Sequence, residues 1–222
     1  MGRGRWGTVS GHCPVSLRLV GRPCVVVGGA DAAAGVAAGL AGAGGEVLVI
    51  APQLSGLLES LVRGGRVQWV AREYAGPPDV ARAMVVGIAS GDPDLDRRVA
   101  ADARRVRALV HLSGDPLQGD LLFPEVLRRG ALTLAVETQG QSPALARRIR
   151  HDLDATYGPE YGVVLELVTQ LGGAMTARVA DPGGREAFWD RLVSQEVIAM
   201  IREGRLAEVE KEVGRLLSHP SG

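Results

Sequence analysis

The stretch Pro23-Cys24-Val25-Val26-Val27-Gly28-Gly29-Ala30-Asp31-Ala32-Ala33 decides the fold. Pro23 to Val27 is an apolar, β-branched run suited to a central strand buried on both faces. Gly28 and Gly29 break it, and small helix-forming residues follow from Asp31 to Ala43, closed by Gly44-Gly45 where helices favour glycine. A strand passing through a glycine turn straight into a helix is the first half of a βαβ unit.

Within that turn Gly28, Ala30 and Ala33 occupy the three positions of the dinucleotide fingerprint G-x-G-x-x-G/A. Free amides and the helix dipole favour a pyrophosphate there. Ala30 departs from the pattern, since it sets a methyl group where glycine normally lets backbone approach the phosphates. The acidic ribose anchor expected about twenty residues on is also missing, because the next strand ends Ala51-Pro52-Gln53. That leaves Gln53 or backbone groups for the ribose hydroxyls. The competing reading of the glycines is tight packing of helix on sheet, with no ligand at all.

Outward from this turn the unit repeats. Glu46 to Ala51, Val67 to Ala71, Met84 to Ala89 and Ala108 to Ser113 read as further strands, with helices over Leu54 to Val62 and Pro93 to Arg105. Five such runs describe a Rossmann-type parallel sheet. After Pro124 the pattern predicts a short helical piece over Glu125 to Arg129, a strand from Leu132 to Glu137, and a helix capped by Ser142-Pro143 and running to Thr156. The remainder reads as helical, with Glu160 to Leu171 and Gly184 to Leu217 separated by a turn at Asp181-Pro-Gly-Gly184 and a break near Gly204. Phe188 and Trp189 read as core. The fold class is therefore α/β, a Rossmann-type sheet followed by a small segment and a C-terminal helical domain.

Composition narrows the function. With 25 Lys+Arg against 25 Asp+Glu, the 222-residue chain carries no net charge, which excludes a basic nucleic-acid-coating protein. A mean hydropathy of +0.10 and 46% apolar residues fit a globular chain. Cys13 and Cys24 form neither a metal-ligand spacing nor a disulfide framework, so no metal site is expected and a reducing compartment is favoured. Neither a signal peptide nor a membrane span is legible, which points to the cytoplasm.

Five segments in order, Pro14-Val-Ser-Leu-Arg-Leu-Val-Gly-Arg22, Cys24-Val-Val-Val-Gly-Gly-Ala30, Val47-Leu-Val-Ile-Ala-Pro52, Ile88-Ala-Ser-Gly-Asp-Pro-Asp-Leu95 and Gly140-Gln-Ser-Pro-Ala-Leu-Ala146, resemble the precorrin-2 dehydrogenase family, which includes the N-terminal module of siroheme synthase. The resemblance implies NAD-dependent oxidation of precorrin-2 to sirohydrochlorin; some members also insert ferrous iron. It implies a homodimer, with an NAD-binding Rossmann domain over 8–123, a dimerisation segment over 124–156 and a helical domain over 157–222.

Carried over residue by residue, the cofactor positions fall on Gly28, Gly29, Ala30, Asp31 and Ala32, on Pro52 and Gln53, and on Ala89 and Ser90. The family's carboxylate after the fifth strand falls on Gly114, with Asp115 one residue later; Asp115 and His111 are the candidates for acid/base work. Substrate contacts fall on Thr138, Gly140, Ser142 and Arg147, the last within an Arg147-Arg148-Ile149-Arg150-His151 cluster suited to a polycarboxylate. Ala30, Gly114 and the Gly35-Val36 pair on the first helix, where the family commonly carries Arg-Lys, also fit a non-enzymatic relative that binds a tetrapyrrole, a nucleotide or a protein partner.

Overall fold

A computed structural model describes residues 13–178 and 181–218. The chain divides into two compact units, one running to Phe123 and including Gln139–Gln141, the other holding Pro124–Thr138 and the chain from Ser142 onward.

The first unit is built on β1 (Pro23–Val27), β2 (Glu46–Ala51), β3 (Gln68–Ala71), β4 (Val85–Ile88) and β5 (Leu109–Leu112), all parallel in the order β3-β2-β1-β4-β5. Helix α1 (Asp31–Gly42) connects β1 to β2, α2 (Gly56–Arg63) β2 to β3 and α3 (Pro93–Arg105) β4 to β5, while a 3-10 turn at Pro77–Asp79 lies between β3 and β4. Because side chains alternate along a strand, β1 sends Cys24 and Val26 to a core shared with Ala33, Val36, Ala37 and Leu40 of α1, and Val25 and Val27 to a core shared with Val99 and Ala103 of α3. Both faces of the sheet are thus covered, as the uninterrupted apolar run of β1 requires. α1 lies close on the sheet: a Cβ at Gly87 of β4 would overlap Val36 Cγ1. Gly44, at φ +81°, ends α1 in the left-handed conformation that glycine adopts without strain.

The second unit starts with a hairpin of β6 (Glu125–Arg129) and β7 (Leu132–Val136), followed by α4 (Pro143–Thr156), α5 (Glu160–Arg178), α6 (Pro182–Leu192), α7 (Gln195–Arg202) and α8 (Leu206–Ser218). Glu125 to Arg129 is therefore a strand and not the expected helix. Gly130, at φ +57°, turns the chain so that Arg129 and Leu132 close an antiparallel ladder with β7. The Arg129 guanidinium then donates to the Tyr157 carbonyl at 2.8 Å and to Asp154 at 2.6 Å, tying the strand to the end of α4.

Asp181-Pro-Gly-Gly184 is likewise not a free turn. The Asp181 carboxylate accepts from the Gly184 amide at 2.7 Å and caps α6, whose first residue is Pro182. A further break, capped by Ser194, separates α6 from α7. Phe188 is core, edge-to-face with Trp189 and packed with Met175, Leu192 and Leu216. A second cluster unites Val164 of α5 with Val197, Ile198 and Ile201 of α7. Across the same pair of helices the buried Glu160 carboxylate receives two bonds from Arg202. Among the described residues no helix is long and apolar enough to cross a membrane.

Candidate functional site

The strand order places β1 between β2 and β4, and the connections leave β1 in opposite directions on either side. At such a switch point the carboxyl ends of the strands open a crevice. A cleft of about 680 Å³ lies there, lined by Val27 to Ala30, Ile50 to Ser55, Glu73, Tyr74, Ser90, Asp92 and Leu95. The sequence-predicted residues Gly28, Gly29, Ala30, Pro52, Gln53 and Ser90 are brought together on its wall. Ala89 is buried directly behind Gly28, while Asp31 and Ala32 stand exposed on the first turn of α1.

Both glycines are required by neighbouring backbone. Gly28 sits at φ +132°, and a Cβ on it would overlap the Ala89 carbonyl. A Cβ on Gly29 would overlap the Gln53 carbonyl oxygen. Three backbone bonds hold the turn in this seat: Gly28 N to Ile50 O at 3.1 Å, Ser55 N to Gly29 O at 2.7 Å, and Ala89 N to Val27 O at 2.9 Å. Ala30 differs. Its φ of −82° and ψ of 175° are ordinary extended backbone, open to any residue, and its side chain is exposed. It caps α1 without a side-chain bond, and its carbonyl takes the amides of Ala33 and Ala34. The amides of Asp31 and Ala32 remain as the orphan donors of the helix start.

Around β4, Ser90 donates its hydroxyl to Asp96 at 2.5 Å, and its amide reaches the same carboxylate at 3.3 Å. Asp92 caps α3 through the amides of Asp94 and Leu95. A Cβ on Gly114 would stand 3.8 Å from Asp96 Oδ2, so the place where the family pattern has a carboxylate already faces one. At the end of β5, the His111 ring pairs Nδ1 with the Leu121 carbonyl at 3.1 Å and Nε2 with Ser113 Oγ at 3.3 Å, and it packs edge-on to Phe123. Burial lowers its pKa below the ordinary 6.5, against a smaller opposing effect of the Leu121 bond. Asp115 heads a short 3-10 turn and accepts from Gln118 Nε2 at 2.7 Å.

Gly140 belongs to the first unit, at φ +72°, against Pro116 and Leu117. Thr138, Ser142 and Arg147 belong to the second. There Thr138 Oγ1 accepts from the Ser142 amide at 3.2 Å, and Ser142 Oγ accepts from Leu145 N at 3.3 Å as the cap of α4. The basic cluster around Arg147 is partly neutralised, with Arg148 on Asp152 at 3.0 Å and Arg150 on Glu125 at 3.9 Å. Among the described residues no group of three or more His, Cys, Asp or Glu is arranged to hold a metal ion.

Four residues of this region carry no motif signal: Ser55, Glu73, Tyr74 and Asp96. Ser55 Oγ is buried with no hydrogen-bond partner. The Tyr74 hydroxyl donates to the buried Asp102 at 3.1 Å; burial above all, and then this bond, raise its pKa. Only the position of Glu73 and Tyr74 just past the third strand run hints at a place on the cleft.

Known proteins match this arrangement along most of the chain. A family model described as putative NAD(P)-binding matches residues 15–125, and one described as sirohaem synthase dimerisation region matches residues 160–217. The dimerisation description falls on α5 to α8. Siroheme synthase 1 of Halorhodospira halophila is 34% identical over 208 residues, covering 93% of this chain and 43% of that protein. Siroheme synthase 1 of Yersinia enterocolitica is 31% identical over 202 residues, covering 91% and 43%. The chain therefore spans less than half the length of these relatives. A solved structure of "SirC, precorrin-2 dehydrogenase" superposes with a TM-score of 0.71 at 22% identity, over 90% of this chain and all of that one, and shares the fold. With a model described as putative NAD(P)-binding over its first half and the sirohaem synthase dimerisation region after it, the chain belongs to the putative NAD(P)-binding family that the first model describes, with siroheme synthases among its relatives.

Proposed function

We propose that this protein is a cytoplasmic, homodimeric precorrin-2 dehydrogenase that uses NAD to form sirohydrochlorin on the route to sirohaem. The observation that carries this reading is the seat at the switch point: a glycine turn clamped between β2 and β4, an uncapped α1 start with orphan amides at Asp31 and Ala32, and a cleft beyond them. Ala30 fits the turn in an ordinary extended conformation that demands no glycine, with its methyl group on the cleft wall.

In this reading the backbone of Gly28 to Ala32 would hold the pyrophosphate and Pro52 and Gln53 the adenosine ribose, with Ser90 on the cleft wall and Ala89 supporting the turn from behind. A bound nicotinamide supplies the hydride acceptor. The protein supplies a proton acceptor. With Nδ1 donating to the Leu121 carbonyl, the lone pair of His111 lies on Nε2, and burial keeps the ring neutral near pH 7. Asp115 is the second candidate, as a carboxylate one residue past Gly114. Thr138, Gly140, Ser142 and Arg147 are assigned to the macrocycle, with Arg147 paired to its carboxylates.

Anaerobic incubation of the full chain with precorrin-2 and NAD, followed by absorbance, tests this directly. Conversion that requires NAD and falls at least tenfold in His111→Ala or Asp115→Ala is the expected result. Conversion unaffected by both substitutions removes the two base assignments. Tetrapyrrole binding without conversion replaces the enzyme by the non-enzymatic relative.

A further inference from the structure

In dinucleotide folds, the group that meets the adenosine ribose follows the second strand, and its charge decides whether a 2′-phosphate is admitted. Here β2 runs into Ala51-Pro52-Gln53 and offers no charge. The neighbouring strand does. β3 pairs in parallel with β2, with Ala71 opposite Ala51, so the chain leaving β3 emerges beside the chain leaving β2. Two residues further on, the exposed Glu73 lines the same cleft as Pro52, Gln53 and Ser55.

A 2′-phosphate needs a cation, and Arg is the usual choice. The arginine adjoining Glu73 is already committed: Arg72 grips Asp79 with two bonds of 2.8 and 2.6 Å and donates a third to the Glu73 carbonyl. The residues named above as lining the cleft include two carboxylates, Glu73 and Asp92, and no Lys, Arg or His. We propose that Glu73, delivered by β3, is the ribose anchor of this cleft and makes it select NAD over NADP. The assignment rests on the nicotinamide reading above.

Titration of the full chain with NADH and with NADPH, read by calorimetry, separates the two claims. The wild-type protein is expected to bind NADH at least tenfold more tightly than NADPH. Glu73→Gln should weaken NADH several-fold while leaving NADPH unchanged or tighter, and Glu73→Arg should reverse the preference. Equal binding of the two cofactors by the wild type, or a ratio that Glu73→Gln does not move, overturns the assignment of Glu73 and leaves nicotinamide binding intact. Failure of either dinucleotide to bind at millimolar concentration overturns both.

Discussion

At the scale of single residues, His111 shows how a polar side chain at the end of a buried strand is satisfied by its neighbours. Both ring nitrogens have partners, at Leu121 and Ser113, and burial disfavours the charged form. The folded state therefore holds its proton less tightly than the unfolded chain, and stability rises with pH where the two differ. Stability contributed by the neutral ring is fully present above the ordinary pKa of 6.5 and is lost as pH falls through the lowered folded value. Thermal melts between pH 7.5 and 5 should show a loss of stability below about pH 6.5 that His111→Gln flattens; an unchanged pH slope in the variant would contradict this. The sequence placed His111 at the carboxyl end of a strand but gave no means of finding its bonds, since Leu121 and Phe123 come from an irregular segment ten and more residues away. Ala30 is the converse case. It broke the fingerprint on paper, yet its backbone angles demand no glycine.

Among the elements, the glycine turn between β1 and α1 is the most constrained. Gly29→Ala is expected to destabilise the protein by about 2–3 kcal/mol, the upper range of overpacking effects, because the obstacle is the Gln53 carbonyl and not a movable side chain. Urea denaturation checks this; a change under about 0.5 kcal/mol, the size of an ordinary surface substitution, would show that β2 yields easily. The five strands of the sheet were legible as short apolar, β-branched runs, three of which, β1, β2 and β4, lead into helical stretches. β6 was not. Glu125-Val-Leu-Arg-Arg129 has the short charged make-up of a surface helix, and its strand state is set by pairing with β7 and by Arg129 reaching α4, both tertiary effects. α6 was legible as a helix but misjudged at its start, where an Asp-Pro pair that signals a turn also signals a cap.

For the whole molecule, the helical unit carries the sirohaem synthase dimerisation region, and within residues 160–217 it exposes Val163, Val193 and Leu206. Analytical ultracentrifugation of the full chain is expected to give twice the monomer mass at micromolar concentration; a single monomeric species would refute the homodimer. Of the three backbone bonds that seat the turn, two reach the chains of β2 and β4 on either side of β1 and one the start of α2, so these glycines answer to the folding of the sheet before they answer to any ligand. It follows that descent would treat the cleft unevenly. A descendant freed from its cofactor would still be held to both glycines by the need to fold, while the exposed Glu73 would drift first. Sequence change at Glu73, with the glycine turn intact, is the mark by which such a retired relative could be recognised.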